Sequence, residues 1–197
     1  MSRNPHWRKS YEHEMILSRH LGPGPFPFVL VLDHLKPGFN VGKIYRLASA
    51  LGVREIHLVN VGPFDTSPAR GTVKQTRTRK FERIFDSIEL LKSEGYTIFA
   101  LSPDGSSTLG GFELPEKSAF ILGHEEYGVS FEPEDYPEVK QLRIRQYGKV
   151  QSLNVSIAAG LVAWEYVRNR ELPEGVNLSD GSSLKVESPA HEVSTPS

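Results

Sequence analysis

A mostly parallel α/β sheet flanked by helices is the fold class that this 197-residue chain predicts, and three observations predict it. Short apolar runs alternate with helix-length segments through the middle of the chain. Two of those runs, 28–33 (FVLVLD) and 118–122 (SAFIL), are continuously apolar, as strands covered on both faces are. The segment 153–167 sets Val155, Ile157, Ala158, Ala159, Leu161, Val162 and Ala163 nearly all round one helical axis, the pattern of a helix buried on every side.

In chain order, residues 1–27 form a polar, partly basic N-terminal extension. Trp7, Tyr11 and Met15 fall at helical spacing within it and predict a short amphipathic helix, ended by the Gly-Pro-Gly-Pro run at 22–25. The main domain, 28–170, opens with the apolar strand 28–33. A loop containing Pro37-Gly38 follows. Asn40 then stands where it would cap a helix to about Leu51, with Gly52 as its stop. Residues 55–60 (EIHLVN) read as a second strand, and 61–79 as a long connection rich in Pro, Gly, Thr and basic residues. Asp86-Ser87-Ile88-Glu89 has the form of a capping box for a helix ending at Gly95. Strands are predicted at 96–102, 118–122 and 139–144. The polar loop 145–151 leads into the final helix, where Ala158, Ala159, Gly160 and Ala163 leave room for another backbone. The tail, 171–197, is acidic and rich in Ser and Pro, and its composition predicts disorder.

Composition narrows the function classes. The chain has no cysteine, which excludes a disulfide framework and a cysteine-based zinc site, and no metal site is predicted. The start carries no signal-peptide apolar region and no run reaches membrane-spanning length, so a cytoplasmic protein without a membrane partner is expected. The net charge of −1 hides an asymmetry: residues 70–83 hold six Lys/Arg and one Glu, whereas 171–197 hold five acidic residues and one Lys. The loop after the first strand is not Gly-x-Gly-x-x-Gly, and no P-loop is present, which argues against dinucleotide and nucleoside-triphosphate folds.

Three clusters follow strands, where open α/β sheets hold ligands. They are Asn40-x-Gly42-x-Ile44-x-Arg46, Gly123-x-Glu125-x-x-Gly128, and Ser152-Leu153-Asn154-Val155-Ser156-x-Ala158 ending in Glu165-Tyr166. Singly, the first reads more simply as a surface arginine, the second equally well as a solvated acidic turn, and the third as an N-cap. In register, they resemble the three motifs of the SpoU (TrmH-like) branch of the SPOUT RNA methyltransferases, over residues 28–168. The family commonly has Ile-Pro-Met before the third motif. This chain has Ile144-Arg145-Gln146, which adds a charge beside the expected cofactor site.

The resemblance implies a C-terminal deep trefoil knot, a homodimer, and S-adenosylmethionine bound by Leu101, Leu122, Gly123, Ile144, Ser152 and Leu153. It implies methylation of a ribose 2′-hydroxyl in RNA, with Arg46 clamping the adjacent phosphate and stabilising the alkoxide on the partner subunit's cofactor. Asn40, Glu125 and Asn154 would complete the catalytic set. The basic stretch, with Arg70, Lys74, Arg77, Arg79 and Lys80, is the expected RNA contact. The short segment before the first strand favours tRNA as substrate, with ribosomal RNA as the alternative. A non-catalytic RNA-binding protein on the same scaffold is the competing reading.

Overall fold

The computed structural model describes residues 6–150, 152–168 and 170–172, so most of the expected tail lies outside the described residues. Within them a seven-stranded sheet runs β3-β2-β1-β6-β4-β7-β5, and every pairing between neighbouring strands is parallel. The strands are β1 (Phe26–Asp33), β2 (Val53–Val59), β3 (Thr78–Phe81), β4 (Thr97–Leu101), β5 (Ser107–Thr108), β6 (Ser118–Leu122) and β7 (Lys140–Arg143). Four helices accompany them: α1 (Trp7–Arg19), α2 (Phe39–Ala50), α3 (Ile84–Ser93) and α4 (Val155–Val167).

The apolar run of β1 fills two cores at once, because alternate side chains of a strand point to opposite faces. Phe28, Leu30 and Leu32 join one core with Ile44 and Tyr45 of α2 and Val162 and Tyr166 of α4. Val29 and Val31 join the other with Ile88 and Leu91 of α3. The N-terminal helix belongs to the first core: Tyr11 and Met15 are buried, and the Tyr11 ring meets Phe64 edge-on at 5.1 Å.

Three local expectations are not met. Asn40 does not cap α2, which begins at Phe39 behind Gly38 without a side-chain cap; its amide is used elsewhere. The expected capping box at Asp86 does not form either: α3 starts at Ile84, and Asp86 pairs with Arg83 at 2.8 Å. The third concerns α4, which begins at Val155 behind Asn154, whose side-chain oxygen accepts from the Ser156 N–H at 3.0 Å. It is not buried all round: Ile157, Leu161 and Trp164 remain exposed on one side. The predicted long connection conceals β3, whose Thr-Arg-Lys-Phe sequence carries the charges that edge strands use.

The constraint on the chain's path lies at β7, which sits between β4 and β5, two strands that follow one another in sequence. The β4–β5 link must therefore cross β7, and it does so at Gly105. A Cβ there would lie 2.6 Å from the Arg143 nitrogen and 2.7 Å from the Leu142 carbonyl carbon. Beyond β7 the chain passes on to α4, whose far end is latched to the segment before β6. There the Tyr166 hydroxyl donates to the Glu116 carbonyl and Arg170 donates to that of Leu114.

Gly105→Ala is expected to destabilise the fold by about 3 kcal/mol, the upper end for forced overpacking, because both obstructing groups are backbone. Gly148→Ala, with no neighbour within 4 Å, should change stability by less than about 0.5 kcal/mol. Chemical denaturation midpoints of the two variants check the contrast.

Candidate active site

The carboxyl ends of β4, β6 and β7 open onto a cavity of about 590 Å³. Its walls come from three loops: the start of the β4–β5 link, the turn after β6, and the segment between β7 and α4. All six residues predicted to hold a cofactor, Leu101, Leu122, Gly123, Ile144, Ser152 and Leu153, stand in that wall. Gly123 is required there. Its Cβ would fall 2.2 Å from the Gly128 carbonyl carbon, so the turn closes only with glycine at that position.

The polar residues of the three clusters meet at the same end of the sheet. The Asn40 amide donates to Glu125 Oε1 at 2.9 Å, and the Asn154 amide donates to Asn40 Oδ1 at 3.2 Å. The second carboxylate oxygen of Glu125 accepts from the Lys36 N–H at 3.3 Å. Burial alone would push the Glu125 carboxyl up. The hydrogen bonds from Asn40 and from backbone N–H groups outweigh it and hold the group below its ordinary value. These contacts join residues 40, 125 and 154, which are far apart in the chain, into one relay. Arg46 is not part of it: the side chain lies exposed on α2 and has no hydrogen-bonding or ionic partner among the described residues.

Sequence reasoning missed a second tie. Asp33, fully buried at the end of β1, accepts from the Ser130 N–H at 2.6 Å and from its hydroxyl at 2.9 Å, and it lies 2.6 Å from His34 Nδ1. This pins the far end of the 123–130 turn to β1. The available signal was an aspartate closing an otherwise apolar strand, since a buried carboxylate needs donors. Gln146 and Glu126 were also missed as wall residues.

The basic stretch divides in two. Arg77 and Arg79 each place Nε 3.0 Å from Glu55, whose carboxylate is buried. Glu55 in turn meets His57 Nε2 at 3.0 Å, and His57 Nδ1 meets the Ser87 hydroxyl at 2.7 Å. Burial holds His57 below its ordinary pKa, and a carboxylate only accepts, so the neutral ring carries its proton on Nε2. Lys80 donates to the Tyr11 hydroxyl at 2.6 Å. Arg70 and Lys74 stay exposed and without partners among the described residues.

Comparison with known proteins bears on this geometry. A model of the SpoU rRNA Methylase family matches residues 27–164. The tRNA (guanosine(18)-2'-O)-methyltransferase of Escherichia coli is 30% identical over 157 residues, covering 78% of this chain and 68% of that protein. The 23S rRNA (guanosine-2'-O-)-methyltransferase RlmB of Coxiella burnetii is 30% identical over 151 residues, and this chain spans only 60% of its length. Among solved structures, one concerned with 2-OH methylation of C/U34 on tRNA is 27% identical, with a TM-score of 0.65, covering 74% of this chain and 97% of that one. An AdoMet-bound rRNA methyltransferase from Sinorhizobium meliloti is 26% identical, with a TM-score of 0.66, over 76% of this chain and 59% of that one.

Asn40→Ala removes one of the donors that hold the Glu125 carboxyl down, so its titration should move up toward the ordinary 4.5. The stabilisation linked to Glu125 is present above the ordinary carboxylate pKa and fades as pH falls through the lowered folded value. The variant should therefore lose stability relative to wild type at neutral pH and converge with it in acid. Carboxyl NMR titration and denaturation at pH 7 and pH 3 test both halves.

Proposed function

The chain belongs to the SpoU methylase family, and from that premise we propose that it is an S-adenosylmethionine-dependent RNA methyltransferase. It acts in the cytoplasm as a homodimer on a ribose 2′-hydroxyl, with tRNA as the preferred substrate. The observation that carries the reading is the meeting of the six cofactor positions in one cavity wall, with the Asn40–Glu125–Asn154 relay at the same end of the sheet.

The cavity fits such a donor. Its volume lies within the usual range for small-molecule sites, about 300–1,000 Å³. Leu101, Leu122, Ile144 and Leu153 offer apolar surface to the faces of an adenine ring, and nearby backbone groups suit its edge. Glu125 and Glu126 in the wall suit the donor's positive charge. When bound, the cofactor supplies a methyl group activated by a sulfonium. The rest falls to the protein. Glu125 and the two asparagines fix the three loops so that the acceptor is held in line, where orientation is worth most. Arg46 stays protonated, since its pKa lies above about 12. It therefore acts by neutralising the adjacent phosphate and the developing alkoxide rather than by removing the proton.

Arg46 is exposed and is not among the residues that line the cavity of its own chain, which supports a site completed by a second copy. Ile157, Leu161 and Trp164 supply an exposed apolar side of α4, the helix that packs on α2. The family's threaded C-terminal segment is supported by the crossing at Gly105. Likeness to the structure concerned with 2-OH methylation on tRNA and to the tRNA (guanosine(18)-2'-O)-methyltransferase of Escherichia coli supports tRNA, and the 23S rRNA relative supports ribosomal RNA as the alternative. Arg70 and Lys74, exposed and without partners among the described residues, are the proposed phosphate contacts, whereas Arg77, Arg79 and Lys80 are held by Glu55 and Tyr11.

Transfer of tritiated methyl to bulk tRNA and to ribosomal RNA, with nucleoside mapping, should put label on ribose in tRNA; label on a base, or none, overturns the reading. Arg46→Ala should cut transfer by about 10²-fold or more while calorimetric cofactor affinity stays near wild type. Mixing these subunits with Glu125→Ala subunits should restore part of the activity, because half of the mixed sites are intact. Replacing Arg70 and Lys74 together with Ala should lower the slope of log affinity for tRNA against log salt by about 2. An unchanged slope would move the RNA elsewhere.

A further inference from the structure

The turn after β6 carries an aromatic pair that methyl transfer, as derived above, does not use. Tyr127 is 77% exposed, yet its ring lies nearly flat against His124, with centroids 4.7 Å apart and planes within 21°. The turn beneath is braced. His124 and Gly128 exchange backbone hydrogen bonds of 2.7 and 2.9 Å, and Gly128 takes φ +76°, which favours glycine. His124 Nδ1 accepts the backbone N–H of Glu126 at 3.1 Å and faces that of Tyr127 at 3.4 Å, which fixes the imidazole in place. Both residues stand in the cavity wall. One face of the phenol ring is therefore covered by a fixed neighbour and the other is open.

The surroundings select what would cover the open face. A π-face takes a planar ring or a cation. Glu125 and Glu126 lie between His124 and Tyr127 in the chain; Glu126 is countered by Lys36 at 3.1 Å, and Glu125 is held by Asn40 and a backbone N–H, both neutral. The turn thus keeps a net negative charge and repels phosphate. What it accepts is the uncharged planar part of a nucleotide. Enzymes that act on single nucleotides of RNA draw them out of the stack and hold the freed base on aromatic side chains.

We propose that Tyr127, backed by His124, is the platform on which the base of the acceptor nucleotide stacks while its ribose enters the site. This rests on the reading of the cavity as a methyl-donor site for RNA, and it assigns substrate positioning to a residue outside the shared motif positions.

The test compares a labelled oligouridylate of about ten nucleotides, within the usual span of single-strand sites, with an abasic ribose-phosphate chain of equal length. Fluorescence anisotropy is read with saturating S-adenosylhomocysteine, which keeps bases out of the cavity. Wild type should favour the uridylate by about 10-fold, the scale of one base–aromatic stack. Tyr127→Phe should keep that preference and Tyr127→Ala should lose it. Retention by Tyr127→Ala overturns the platform. So does calorimetry in which Tyr127→Ala weakens S-adenosylmethionine binding as much as it weakens uridylate binding, since the ring would then be a cover for the cofactor. Wild-type protein that binds no S-adenosylmethionine sinks the cofactor reading instead, and the contrast between the Phe and Ala variants on RNA still decides the platform.

Discussion

The position of β7 governs the rest of the structure. A strand seated between two strands that are neighbours in sequence obliges the link between those two to cross it, and here the crossing leaves no room for a side chain at Gly105. The same arrangement gathers the ends of β4, β6 and β7 on one side, so that three loops from distant parts of the chain face a common space. The cavity is thus a product of topology. No single loop encloses it, and Leu142 of β7 and Ile144 just beyond it stand in its lining. Such non-local pairing is reached slowly in folding, because loop closure comes before the contacts that reward it. The latch of Tyr166 and Arg170 onto the segment before β6 holds the result in place.

Two sets of hydrogen bonds turn that space into a defined site. Asp33 fixes the far end of the 123–130 turn from within the core, and Asn40 fixes Glu125 from α2. Asn154 does double duty: its oxygen caps α4 and its amide reaches Asn40. Movement at the head of α4 is therefore felt at Glu125 through two hydrogen bonds. None of this engages Arg46, which lies six residues along the helix from the Asn40 anchor and is exposed. One helix thus presents a side chain to each of two places, its own chain's relay and, in the proposed dimer, the neighbour's cavity.

Much of this was legible from sequence. The strand 118–122 has the bounds read from its apolar run, and the three clusters do meet around one site. What failed did so for identifiable reasons. Asn40 has the chemistry of a helix cap, and local propensity cannot see a carboxylate 85 positions away that takes its amide. The edge strand β3 was hidden because its adjacent Arg79 and Lys80 resemble the charges of a loop and only Thr78 of its four residues is buried. The side of α4 carrying Ile157 and Leu161 was read as buried because a periodicity records apolar character, not what covers it. Asp33 and Ser130 lay in plain view but joined no motif.

The basic stretch shows why a count of charges overstates a field. Six cations lie within 70–83, yet Arg77 and Arg79 converge on one buried carboxylate. Burial would push the Glu55 carboxyl up; His57 and the two arginines hold it below its ordinary value, so it stays ionised and engages both cations. An arginine committed to a buried carboxylate is a poor phosphate ligand, because drawing it away would leave that charge uncompensated. Lys80 lies over the Tyr11 ring, and Arg83 is matched by Asp86. The attraction that reaches solvent from this face therefore comes chiefly from Arg70 and Lys74, on and beside the short 3₁₀ turns Ser67–Ala69 and Val73–Gln75. These turns are set against α1 and α2, the first of them directly on the helix that bears Arg46. The charges proposed to meet RNA and the guanidinium proposed to act at the reacting ribose are thus carried by elements packed on one another.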